Sequence, residues 1–63
     1  MSNQIVIHCQ PSLQSNLIKL GLDYEYNCGE YDVIVDNIDS LEDDELCKHY
    51  GLDYEQVNCI ELI

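Results

Sequence analysis

The chain has 63 residues, with 13 acids against two lysines and no arginine, for a net charge of −11. That length holds one domain and leaves little room for a deep, water-excluding pocket, which counts against an enzyme. A chain so poor in Lys and Arg cannot grip DNA, RNA or an anionic membrane, because phosphate binding needs cations.

The hydrophobic fraction of 46% is that of a globular protein, so disorder is not expected. No apolar run approaches the roughly 20 residues that span a bilayer. The start, Met1-Ser2-Asn3-Gln4, lacks a basic segment, and Ile5-Val6-Ile7 is too short for a signal peptide, so a cytoplasmic protein is expected.

The first strand is predicted over Gln4 to Cys9, with Ile5, Ile7 and Cys9 on one face and Val6 and His8 on the other. Pro11 opens a helix running to about Leu20, with Leu13, Leu17 and Leu20 as its apolar stripe. Gly21 closes it in a left-handed conformation. Leu22 to Cys28 alternates as a half-buried strand, with Leu22, Tyr24, Tyr26 and Cys28 on one side. Asn27-Cys28-Gly29-Glu30 reads as a tight turn, and Tyr31 to Asp36 as the second strand of a hairpin. Ser40-Leu41-Glu42-Asp43 resembles a capping box at the start of a helix that continues to Tyr50, with Leu46, Cys47 and Tyr50 inward. Gly51 ends that helix, and a last strand covers about Gln56 to Leu62.

An internal echo supports this order. Gly21-Leu22-Asp23-Tyr24-Glu25 recurs as Gly51-Leu52-Asp53-Tyr54-Glu55, each time after a helix and before a strand. Two similar β-α-β halves give β-α-β-β-α-β. The expected fold is therefore an α+β two-layer sandwich of ferredoxin-like type, with strand order 4-1-3-2 and both helices on one face of an antiparallel sheet. The alternative is a simpler α+β meander lacking one edge strand.

The acids are unevenly placed. Residues 1–22 contain none, and Lys19 is their single formal charge; the remainder carries −12. The first third must therefore supply much of the core.

Candidate chemistry is sparse. His8, Cys9, Cys47 and His49 lack the close cysteine pair usual in structural zinc sites and read as core thiols and surface or edge histidines, so no metal or cofactor is expected. Cys9, Cys28, Cys47 and Cys59 are widely spaced and expected to stay reduced. A catalytic cysteine needs nearby positive charge, which this chain lacks. Asp43-Asp44-Glu45 and Asp36-x-x-Asp39 do not form a calcium loop and read as a solvated acidic helix start.

Binding remains. The densest anionic patch is Glu42, Asp43, Asp44 and Glu45, with Asp32, Asp36 and Asp39 beside it and Tyr31 and Tyr54 as aromatic anchors. Acids on a small rigid body can imitate the phosphates of a duplex. In size and composition, the chain resembles the small acidic inhibitors of bacteriophages that occupy nucleic-acid grooves of restriction, CRISPR or repair proteins. That resemblance implies a non-enzymatic inhibitor of anti-defence or anti-CRISPR type whose partner is a basic nucleic-acid-binding protein. The alternative is an adaptor or small subunit that uses the open sheet face, where Val6 and Ile34 lie among acids, to bind a protein or a second copy as a homodimer.

Overall fold

A computed structural model describes residues 3–63. Among these the chain forms four strands and two α-helices: β1 (Gln4–Cys9), α1 (Gln14–Leu20), β2 (Glu25–Asn27), β3 (Glu30–Asp36), α2 (Asp43–His49) and β4 (Val57–Leu62). The strands make one sheet in the order β2-β3-β1-β4, which from the other edge reads 4-1-3-2, and every pairing is antiparallel. Among the described residues no helix is long and apolar enough to cross a membrane.

Strand β1 sits at the centre, pairing Ile7 with Val33 on β3 and with Ile60 on β4. Its alternation sorts the two faces of the sheet. Ile5, Ile7 and Cys9 are buried, together with Val33, Leu13, Leu17, Leu46, Cys47 and Leu52, in one cluster. Five of these nine come from the first third, which carries no acid. Burial pushes the Cys9 thiol up to about 11, with further help from Cys47, Asp32 and Glu30. Cys9 and Cys47 are thus packed core thiols, and all four cysteines are free.

The boundaries differ from the sequence reading in physically clear ways. Pro11–Leu13 is a 3₁₀ turn, and the α-helix begins only at Gln14. The strand expected over Leu22 to Cys28 shrinks to Glu25–Asn27, because the Leu22 N–H is spent on the Leu17 carbonyl in closing α1 (3.2 Å). Helix α2 starts at Asp43, not from a Ser40 cap: Glu42 is the N-cap residue, and its N–H donates to Glu45 Oε1 (3.3 Å). It ends at His49, and the Tyr50 hydroxyl donates to the Asp36 carbonyl (2.6 Å), tying the half-buried ring to the end of β3. A 3₁₀ turn over Tyr54–Gln56, capped by Asp53, delays the last strand to Val57.

Three apolar side chains lie farther out than expected. Leu20 is 44% exposed and Tyr26 is 63% exposed. Leu20 leans on Gly51, where an added Cβ would come within 2.9 Å of its Cδ2. Tyr26 stands on the edge strand opposite Tyr31, against which it tilts with ring centroids 5.1 Å apart. Cys28 lies exposed in the turn.

The echo is real in the backbone for its first two residues. Leu22 N–H bonds to Leu17 O, and Leu52 N–H to Cys47 O (2.7 Å), the same six-residue closure after a glycine of positive φ. Beyond that the copies diverge, one running extended and the other coiling into the 3₁₀ turn.

The hairpin turn carries an avoidable strain. Cys28 has φ 52° and Gly29 φ 81°, the paired positive values of a two-residue turn that favours Asn-Gly. Cys28→Asn is therefore expected to stabilise the protein by about 0.5–1 kcal/mol. Gly51→Ala, strained at φ 80° and pressed on Leu20, is expected to destabilise it by about 1–2 kcal/mol. Urea denaturation of the two variants checks both signs.

Candidate functional site

Two surfaces collect polar chemistry: the acidic start of α2 and the sheet face opposite the core. On α2, Asp43, Asp44 and Glu45 fill the first turn and Glu42 precedes them, all exposed. Carboxylates there are favoured by the positive end of the helix dipole. Asp39, in the preceding turn, joins Asp43 and Glu61 around a shallow groove of about 270 Å³ whose floor includes Ile5, Leu46 and Ile60. Asp36 is exposed at the end of β3.

Other sequence candidates lie elsewhere. Asp32 belongs to the middle of the sheet, half-buried and bonded to His8. Tyr31 is half-buried and packs against the core, with the Tyr24 ring edge-on at 5.2 Å. Tyr54 is 48% exposed in the 3₁₀ turn before β4. The structure thus gathers Asp39 with the α2 acids, and separates from them Asp32 and Tyr31.

The sheet face was under-read from sequence. His8 on β1 stands beside Asp32 on β3 and Cys59 on β4 in the strand register. Its Nδ1 lies 2.7 Å from Asp32 Oδ1 and 3.8 Å from Glu30 Oε1, and its Nε2 lies 2.8 Å from Glu61 Oε1. The ring is mostly covered, with 15% of its side-chain surface exposed. The Asp32 contact assigns a proton to Nδ1. The Glu61 contact is close but not aligned as a hydrogen bond, so Nε2 is buried without a partner.

Every ion pair among the described residues involves His8. Burial alone would lower its pKa, but the hydrogen bond and charge of Asp32, followed by the charge of the adjacent Glu61 carboxylate, outweigh it and raise the value above 6.5. Among the described residues two groups of side chains could hold a cation: His8, Cys59 and Glu61, and His8, Glu30 and Asp32, each with donor atoms within 4.8 Å of one another. The signal for this cluster was the shared parity of Cys59 and Glu61 on the last strand. Only the β1–β4 register turns that parity into proximity to His8.

Comparison with protein-family models, curated proteins and solved structures finds no match. The functional reading therefore rests on the geometry of these two surfaces. Both have charge as their dominant property, and they differ in how it is held: among the described residues ten acids have no ion-pair partner, while three converge on one imidazole.

The raised pKa fixes a pH dependence for the metal-free protein. Protonated His8 stabilises the fold at and below pH 6.5, and that contribution is lost as pH rises through the higher folded-state value. With a chelator present, the stability difference between the wild-type protein and His8→Gln is expected to shrink as pH is raised, read by urea denaturation at several pH values. NMR titration of the imidazole is expected to give a midpoint above 6.5 for His8.

Proposed function

We propose that this protein is a non-enzymatic inhibitor or regulator that binds a basic, nucleic-acid-binding protein by presenting carboxylates where that partner expects phosphates. The observation that carries the reading is charge density. Eleven net negative charges on a body 29 Å long amount to one per about 2.6 Å, against one per ~1.7 Å of duplex DNA. The exposed run from Glu42 to Glu45, continued by Asp39 and Asp36, is the surface we assign to the partner. Among the described residues these acids have no ion-pair partner, which leaves them to a cationic groove.

A rigid scaffold suits this role, because acids fixed on strands and a helix lose little freedom on binding. We read the scaffold as a ferredoxin-like sandwich with both helices on the core side of the sheet. Support comes from the strand order read from the β4 edge and from the single cluster in which Leu13, Leu17, Leu46 and Cys47 meet Ile5, Ile7 and Val33. A cytoplasmic, bacteriophage-encoded inhibitor of anti-defence or anti-CRISPR type fits the size and charge.

A second reading has one observation in its favour. Ile34 is 53% exposed in the sheet face opposite the core, beside half-buried Val6. That patch suits an adaptor or small subunit docking on a protein or on a second copy of the chain.

Affinity capture from the native host at low and high salt separates the two readings. A mimic is expected to release a basic partner at high salt, and Asp43→Lys with Asp44→Lys is expected to weaken that partner about tenfold or more and to flatten the salt dependence. Unchanged affinity in this variant would sink the mimic reading. Loss of a salt-insensitive partner, or of self-association, in Val6→Asn with Ile34→Asn would favour the adaptor.

A further inference from the structure

We infer that the sheet face carries a divalent metal site of zinc type, with His8 Nε2, Cys59 Sγ and a Glu61 carboxylate oxygen as its protein ligands. Three observations converge on it. The donor atoms lie within 4.8 Å of one another. Nε2 of His8 is buried and has no hydrogen-bond partner. The other ring nitrogen is anchored on Asp32 at 2.7 Å. A carboxylate behind the far nitrogen of an imidazole is the usual support of a metal-bound histidine, since it fixes the ring and raises its basicity.

The geometry also poses an electrostatic demand. With its proton on Nδ1, neutral His8 turns a lone pair toward Glu61 Oε1 at only 2.8 Å. Two lone pairs at that distance need a positive charge between them. A proton supplies one, but off the line of a good hydrogen bond, and it has no use for the neighbouring thiol. A metal ion satisfies all three donors together. Imidazole, thiolate and carboxylate are the ligand types of a borderline-soft dication such as Zn²⁺.

The donors are close to coordination distance. Bonds of ~2.0–2.3 Å to one tetrahedral ion put ligand atoms about 3.3–3.8 Å apart. His8 and Cys59 are opposite one another across strands, and Glu61 follows two residues later on the same face. Cys59 and Glu61 are exposed, so their side chains can turn to close the remaining distance. The three protein ligands leave the fourth position to solvent.

Binding displaces protons in a balanced way. The Cys59 S–H bond breaks, a sulfur–metal bond forms and the proton goes to solvent. Without metal, local desolvation and the charges of Glu61, Glu30 and Asp32 push the Cys59 thiol up, so it remains protonated. Where His8 is doubly protonated, its Nε2 proton is released as well. The same carboxylates that raise both groups attract the dication that replaces the protons.

The test is a Co²⁺ titration of the reduced full-length protein, followed by absorption, with far-ultraviolet circular dichroism on every variant as a check of folding. The expected result is a thiolate-to-cobalt charge-transfer band that saturates at one ion per chain and disappears on adding Zn²⁺. Cys59→Ser is expected to abolish the band and Cys28→Asn to retain it. Asp32→Asn, which removes only the support of the ring, is expected to keep the band and weaken Co²⁺ about 10–100-fold. The proposal is overturned by absence of the band in the wild-type protein, by its persistence in Cys59→Ser, or by its loss in folded Cys28→Asn.

Discussion

Strand β1 is the element on which the rest of the structure depends. It is uncharged at pH 7 apart from what His8 takes up, and it is hydrogen-bonded on both sides, to β3 and to β4. A strand in that position must offer one face to the core and accept whatever the other face brings. Ile5, Ile7 and Cys9 meet the first demand at almost no exposure. The alternation that buries them leaves Val6 and His8 on the opposite side, amid acids contributed by the neighbouring strands.

That arrangement explains how so acidic a chain folds. Burying a carboxylate unpaired would cost several kcal/mol, and none of the described polar or charged residues is fully buried. The acids fall on β2, β3, β4, the connecting turns and the exposed first turn of α2, and on the strands they keep to positions that are half-buried or exposed. Both lysines fall in the last turns of the helices, where a cation is favoured by the helix dipole. The one place where acids crowd a covered position is around His8, and there the imidazole holds them. Self-repulsion is otherwise left to solvent and salt.

Most of the element order was legible because its signals are local. Period-two alternation marked β1, the β-branched run after the Asn27–Glu30 turn marked β3, the glycines marked both helix ends, and the absence of acids before Asp23 marked the source of the core. Boundaries were less legible where a backbone group had two claimants. Leu22 has the composition of a strand residue, but its N–H is used by the helix cap, and the capping box belongs to Glu42 and Glu45 because the turn over Asp39–Ser40 delays the helix. The acidic patch on α2 was readable as a contiguous run. The His8 cluster was not, since its members come from β1, β3 and β4 and meet only through a register that includes an irregularity at His8–Cys9. Composition spoke against metal by the lack of close cysteine pairs, a rule about ligands near in sequence that has no force across strands.

The two surfaces obey different physics, which is why they can be told apart. Attraction of the exposed α2 acids to any cation acts through solvent and is screened over ~8 Å at physiological salt. The His8 cluster acts at contact distance, through an imidazole with only 15% of its side-chain surface exposed, where screening is weak and donor type matters more than charge. Glu61 borders both: it lines the groove with Asp39 and Asp43, and it approaches His8 Nε2. A cation held by Glu61 would withdraw one carboxylate from the groove and reduce the negative potential beside α2. Through this one side chain a cation on the sheet face would be coupled to the acidic surface, with the sign that filling the first weakens the second.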